Sequence, residues 1–158
     1  MIEITRVDAP EQKAEICNAI LRSLPDWFGI ESSIQEYTRN VKAMPFWAAA
    51  DAGTPVGFAA LKLHNVFTAE LYVTGIAQAY HRQGVGRRLV AQCADFCRAL
   101  ELRFLTVKTL DESAGSECYD RTRMFYQAAG FIPLEVFPAL WDPRNPCLLM
   151  VMPLWANA

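Results

Sequence analysis

Several protein classes are excluded by what this sequence lacks. Lys and Arg number 15 against 17 Asp and Glu, a net charge of −2. That balance excludes a sequence-independent nucleic-acid binder, which is normally basic. No apolar run approaches the roughly 20 residues of a membrane span. Met1–Arg6 has no basic segment leading into an apolar one, so no signal peptide is expected. Internal repeats and low-complexity linkers are missing. Histidine occurs only at His64 and His81, both in stretches that read as loop or surface. The cysteines (Cys17, Cys93, Cys97, Cys118 and Cys147) are odd in number and scattered, which fits reduced thiols in a cytoplasm and not a disulfide framework. Cys93 and Cys97 stand one helical turn apart, but both fall on an apolar stripe with no further Cys or His at ligand spacing. They read as small core residues, and no metal is expected.

At 158 residues, with 53% hydrophobic and 20% charged residues, the chain has the composition of one globular domain with a sizeable core. It is organised around Tyr80-His81-Arg82-Gln83-Gly84-Val85-Gly86-Arg87-Arg88. The apolar run Leu71-Tyr72-Val73-Thr74-Gly75-Ile76 precedes it, and Val85, Leu89, Val90, Cys93, Phe96, Cys97 and Leu100 recur at helical spacing after it. This is a strand, a glycine loop and a helix. The first N–H groups of a helix have no intrahelical partner. Gly84 and Gly86 carry no Cβ to keep a ligand away. Free N–H groups and the helix dipole favour an anion, most naturally a phosphate. Arg82, Arg87 and Arg88 add positive charge. Two rival phosphate loops are excluded by spelling. No Lys-Ser/Thr follows the second glycine, as a P-loop requires, and Leu89 stands where a dinucleotide fingerprint needs its third glycine.

In chain order, Ile2–Val7 alternates as a strand. Asp8-Ala9-Pro10 reads as a helix start with Asp8 as cap, and Ala14, Ile16, Cys17, Ile20, Leu21 and Leu24 follow at helical spacing up to Pro25. Asp26–Ile30 is an aromatic connection. Glu31-Ser32-Ser33 caps a second helix carrying Ile34, Tyr37, Val41 and Met44. Phe46–Ala50 and Val56–Leu63 form a hairpin around Asp51–Pro55. His64–Phe67 leads to the strand holding Glu70. After the long helix, which reaches about Glu101, come a strand at Arg103–Thr109 and a loop at Asp111–Cys118. A helix at Tyr119–Ala129 is stopped by Gly130. A strand at Phe131–Phe137, a turn-rich connection at Trp141–Pro146 and a closing strand at Cys147–Leu154 complete the chain. The order βααβββαβαββ is that of a mixed α/β single domain, residues 1–158.

His81-Arg82-Gln83-Gly84-Val85-Gly86 resembles the Arg/Gln-x-x-Gly-x-Gly/Ala loop of the GNAT superfamily of N-acetyltransferases, with His81 replacing the usual Arg or Gln. Phe125-Tyr126-Gln127-Ala128-Ala129-Gly130-Phe131 resembles the Phe-Tyr-x-x-x-Gly-Phe segment of the same family, and the element order is that of its fold. The resemblance covers essentially the whole chain. It implies a GNAT fold and transfer of an acetyl group from acetyl-CoA to an amine in a ternary complex. Main-chain N–H groups from Arg82 through Arg87, with His81 and Arg88 beside them, would cradle the diphosphate. Gly75, Ile76 and Ala77 would pair with the pantetheine arm, and the Ile76 N–H would face the developing oxyanion. The resemblance makes Glu70 the candidate base and Tyr126 the candidate acid, with Tyr119 as a substitute. A nucleophilic Cys118 is not needed. By position, Trp27, Phe28, Ile30, Tyr37, Tyr72 and the Trp141 segment would wall the acceptor pocket. Their low charge suggests a small or partly apolar primary amine, with neither nucleic acid nor membrane as partner. A protein N-terminus or lysine as acceptor, a non-catalytic CoA-sensing module, and a homodimer are left open.

Overall fold

Each apolar pattern becomes one element in the computed structural model, which describes residues 1–155. The elements are β1 (Ile2–Arg6), α1 (Pro10–Arg22), α2 (Glu31–Asn40), β2 (Phe46–Asp51), β3 (Thr54–Leu63), β4 (Thr68–Ile76), α3 (Val85–Ala99), β5 (Phe104–Leu110), α4 (Glu117–Ala129), β6 (Ile132–Asp142) and β7 (Asn145–Pro153). The strands form one sheet in the order β1-β2-β3-β4-β5-β7-β6. Strands β4 and β5 pair in parallel, while the other neighbours are antiparallel. A parallel pair needs a crossover, and α3 supplies it.

The two faces of the sheet bury different helices. Ile16, Cys17, Ile20 and Leu21 of α1 pack with Phe46, Phe58 and Val73 on one face. Leu89, Cys93 and Cys97 of α3 and Tyr126 of α4 pack with Leu61, Leu71, Leu105 and Val107 on the other. Cys93 and Cys97 are fully buried members of that core. Burial pushes the Cys97 and Cys147 thiols up to about 11 and the Cys17 thiol up to about 12. The Cys93 thiol is raised by burial as well. Cys118 is half-buried.

Several boundaries differ from the sequence reading for local reasons. Ala9, not Asp8, is the N-cap of α1, with Pro10 beginning the helix, and Asp8 lies 3.6 Å from Arg6 instead. Glu31 does not cap α2; it is bound through both oxygens by the Arg22 guanidinium, which holds its carboxyl down at about 2. After Asn40, α2 gives way to a 3₁₀ turn, Val41–Ala43. Buried Lys13 donates to the Met44 carbonyl at 2.6 Å, and burial lowers its pKa. Helix α4 starts at Glu117, with the Ser116 hydroxyl accepting from the Tyr119 N–H. Strand β6 runs on to Asp142, where a turn was expected from Trp141. Its register slips between Phe137 and Asp142, around Pro138, and the Asp142 carboxylate accepts from the Arg144 N–H at 2.8 Å to tighten the hairpin.

The feature that positions the site is a parting of strands. The β4–β5 ladder runs only from Thr68↔Phe104 to Leu71↔Val107. There Tyr72 forms a bulge against β3: Leu61 pairs with Leu71 but Ala60 pairs with Val73. One extra residue bends and twists a strand. Beyond it β4 stays with β3 and β5 stays with β7, opening a wedge between them. Gly86 lies at the mouth, where α3 meets α4. A Cβ there would sit 2.9 Å from the Phe125 ring. The sequence reading gave this glycine to ligand approach; its place against Phe125 adds a packing reason for the missing Cβ. We expect Gly86→Val to lower stability by about 1–3 kcal/mol through overpacking, measurable as a fall in the urea midpoint. Gly84→Ala reports the separate cost of a Cβ in left-handed backbone, because a Cβ at Gly84 meets nothing within 4 Å while its φ is 78°.

Candidate active site

The wedge presents unpaired backbone. The Ala77 N–H donates to the Val56 carbonyl at 2.8 Å, so it faces β3. Antiparallel pairing alternates. Gly75 therefore faces β3 as well, and the amides of Ile76 and Thr74 point away from it, into the gap. The Ile76 carbonyl has one partner there: the His81 Nε2–H, at 2.6 Å. A carbonyl can only accept, so Nε2 carries the proton. Across the gap, Thr109 lies on β5 just past the last residue paired with β4. It is 3% exposed, and its Oγ1 is the sole fully buried side-chain oxygen or nitrogen without a partner among the described residues. A buried polar group without a partner is costly and signals a missing one.

The loop at the end of β4 is built to hold an anion. Arg82 has φ 63° and Gly84 has φ 78°, both left-handed. For Arg82 this is a strained backbone worth on the order of 1–2 kcal/mol. Successive residues of this kind turn their N–H groups towards one concavity. Main-chain hydrogen bonds leave from Tyr80, His81 and Arg88, and among the described residues no N–H from Arg82 to Arg87 has a protein acceptor. Gly84 caps α3 without a side chain. Among the loop side chains, Val85 is buried in the core. Gln83 bonds back to Ala79, and Arg88 reaches the Ile2 carbonyl at 3.0 Å. Arg82 and Arg87 are exposed and remain the uncommitted cations of this loop. The His81 imidazole is turned inward, edge-on to Trp27 with ring centroids 5.5 Å apart.

Trp27 joins this loop to α4. Its Nε1–H donates to Thr122 Oγ1 at 3.2 Å, and its carbonyl accepts from the Tyr119 hydroxyl at 2.7 Å. Burial pushes the Tyr119 hydroxyl up to about 12. Tyr126 is 6% exposed, packed between Phe125 and Phe131 with ring centroids at 5.3 and 5.5 Å. Burial raises its pKa, with Tyr119 and Tyr37 adding to the effect, and no hydrogen bond contributes. Its hydroxyl is unpartnered yet not sealed, since Thr109 alone is both. On the other flank, Phe28 stands edge-on to Tyr37 and Tyr37 to Tyr72, at 6.0 and 5.3 Å. Asn40 donates to the Tyr72 hydroxyl at 2.9 Å. Trp141 does not join them. It is 45% exposed near the tip of the β6–β7 hairpin and stacks on no ring among the described residues.

Glu70 lies on β4 just before the bulge, 6% exposed. Its Oε1 receives the His64 Nε2–H at 2.7 Å and the Lys108 ammonium at 3.3 Å. The sequence reading missed both donors. Lys108 had a faint signal: it lies two residues past Thr106, the β5 partner of Glu70, so it shares that face. His64 had none, because only the folded β3–β4 turn brings it back.

The sequence model of the acetyltransferase (GNAT) family matches residues 13–131. The chain belongs to that family. Solved structures agree on the fold across nearly the whole length of both chains. A GNAT-family protein from Desulfovibrio desulfuricans has a TM-score of 0.81 at 22% identity, covering 98% of this chain and 100% of its own. An aminoglycoside 6'-N-acetyltransferase complexed with coenzyme A has a TM-score of 0.78 at 16% identity, covering 99% of both chains. The ribosomal-protein-S18-alanine N-acetyltransferase from Escherichia coli has a TM-score of 0.76 at 16% identity, covering 100% of this chain and 97% of its own. The family is one of acetyltransferases, which use acetyl-CoA. The residues present fit that group. Gly84 leaves open space above unpartnered N–H groups, and Thr109 Oγ1 is stranded beside the wedge.

Gly84→Val fills that space with a branched side chain in a left-handed backbone. We expect CoA affinity measured by calorimetry to fall at least tenfold; equal affinity would remove the loop from the site. The tyrosines give a pH signature. An unfolded tyrosine ionises near 10, whereas Tyr119 holds its proton to about 12. The unfolded state thus loses protons first, and this contribution to stability is full below about pH 10 and lost as pH rises through about 12. Urea midpoints should fall across that window in step with the 295 nm absorbance of tyrosinate.

Proposed function

We propose that the protein transfers an acetyl group from acetyl-CoA to the primary amine of a small molecule. The observation that carries this reading is the parted β4–β5 pair, with the Ile76 amide facing the gap beside a loop of unpartnered N–H groups. Acetyl-CoA, when bound, supplies an acetyl thioester that a neutral amine attacks directly. The N–H groups of Arg82–Arg87 would hold the diphosphate, and the Thr74 and Ile76 amides would serve the pantetheine arm. The Ile76 N–H donates to the oxygen on which negative charge grows; one preorganised donor of this kind is worth roughly 3–4 kcal/mol.

Two proton positions complete the reaction. Glu70 takes the proton that the attacking nitrogen loses. Tyr126 gives one to the leaving sulfur. A tyrosine whose pKa is raised by burial keeps its proton and so has one to give. It also has no competing partner.

The walls support a small acceptor. Phe28, Tyr37 and Tyr72 form an aromatic flank, and Trp27 ties the α1–α2 connection to α4 over the site. An aromatic flank of this kind suits a compact, partly apolar amine better than a polycation or a protein chain end.

The reading is tested by thiol release from acetyl-CoA with 2-phenylethylamine, spermidine, kanamycin and a peptide with a free alanine N-terminus. We expect 2-phenylethylamine to be turned over with the highest kcat/KM. Tyr126→Phe should lower kcat by roughly 10²-fold, the scale of general acid catalysis, with the KM for acetyl-CoA within twofold of wild type. CoA binding without thiol release from any of these amines would overturn the assignment as a transferase of small amines.

A further inference from the structure

Glu70 is buried, yet both of its protein donors converge on a single oxygen. His64 Nε2 lies 2.7 Å and Lys108 Nζ 3.3 Å from Oε1. No donor is assigned to Oε2, and Oε2 is not among the sealed, unpartnered atoms. The carboxylate therefore has one oxygen tied to the protein and one left open. The two donors arrive from different elements, His64 from the β3–β4 turn and Lys108 from β5. Both side chains are about a third exposed, at 33% and 34%, while the carboxylate they hold is 7% exposed. Lys108 also lies beyond the last β4–β5 pair, so its reach to Glu70 crosses the root of the wedge.

We propose that His64 and Lys108 are positioning residues for the proton transfer: together they fix the Glu70 carboxylate by Oε1 and so make Oε2 the atom that takes the proton from the acceptor amine. The inference rests on the reading of Glu70 as the base. In the step itself, the nitrogen lone pair forms the bond to the acetyl carbon, and the carbon–sulfur bond breaks with its electron pair going to sulfur, which takes a proton from Tyr126. The N–H bond breaks, its proton passes to Oε2, and Tyr126 regains a proton from solvent. The carboxylate becomes a neutral acid, and the proton leaves Oε2 for solvent once the amide has gone. The clamp matters because a carboxylate on a flexible glutamate arm samples several rotamers. Two donors from opposite sides leave one orientation. The turn carrying His64 is itself held by the His64 and Asn65 N–H groups, which both donate to the Thr68 carbonyl. The other titratable groups facing Glu70 are Lys62, its partner on β3, together with Tyr37, Tyr72 and Cys147.

A double-mutant cycle separates this role from simple packing. His64→Gln and Lys108→Arg keep a donor; His64→Ala and Lys108→Met remove it. Each is measured in wild type and in Glu70→Gln, by thiol release from acetyl-CoA with the panel amine that wild type turns over fastest. Thermal melts check folding. We expect Glu70→Gln to lower kcat by roughly 10²-fold. Lys108→Met and His64→Ala should each lower kcat about 5- to 20-fold with the KM for acetyl-CoA within twofold. Lys108→Arg should recover most of the loss. In Glu70→Gln, none of the four should lower kcat further. Two results would overturn the clamp alone: equal losses with and without Glu70, or a loss carried by the KM for acetyl-CoA. A wild-type kcat in Glu70→Gln would instead remove Glu70 as base, and the clamp with it.

Discussion

Two strands that begin side by side and then separate set the terms for everything else in this molecule. Backbone N–H and C=O groups need partners. A sheet normally supplies them on both sides of an interior strand. Here the extra residue at Tyr72 ends the β4–β5 ladder, and the outer half of β4 is left with one open side inside the fold. Such an opening is tolerated only where something else completes it. His81 does so for one carbonyl, and in the proposed function an extended ligand carrying amides would do so for the rest. The helix that must connect a parallel pair begins at the same place, so its unpartnered N–H groups lie at the mouth of the opening. The proposed diphosphate grip and amide pairing would thus be two results of one topological event.

What the sequence made legible was local. The glycine loop could be read because left-handed backbone and the first turn of a helix leave marks at fixed spacing. The core helices could be read because 3.6-residue periodicity survives in Leu89, Cys93 and Cys97. The parting of the strands could not be read, since register depends on pairings between residues far apart in the chain. The same limit hid the donors to Glu70. It also hid the role of Gly86, whose neighbour is Phe125 on another helix. Trp141 was drawn into the pocket by its position in the chain alone; it is 45% exposed on β6 and stacks on none of the other aromatic rings among the described residues. The Asp8 cap failed for a different reason: Pro10 already fixes the helix start.

The chemistry is divided between rigid backbone and converging side chains. The proposed grip on the cofactor uses main-chain N–H groups and few particular side chains, which leaves His81 free to brace the Ile76 carbonyl. The acceptor flank works the other way. Trp27 meets His81, Thr122 and Tyr119 at once, so it links the loop, α4 and the α1–α2 connection. A change at Trp27 would be felt in the glycine loop and in α4 together.

The five thiols have a practical bearing on any measurement of coenzyme release. Cys17, Cys93, Cys97 and Cys147 are buried and hold their protons well above the range where a thiolate forms in neutral buffer. Only Cys118, in the first turn of α4, is partly open to reagent. A colorimetric disulfide titrant added to the folded enzyme therefore meets a background of one slow equivalent. The same residue offers a single attachment point for a fluorophore, four residues along α4 from the tryptophan contact at Thr122.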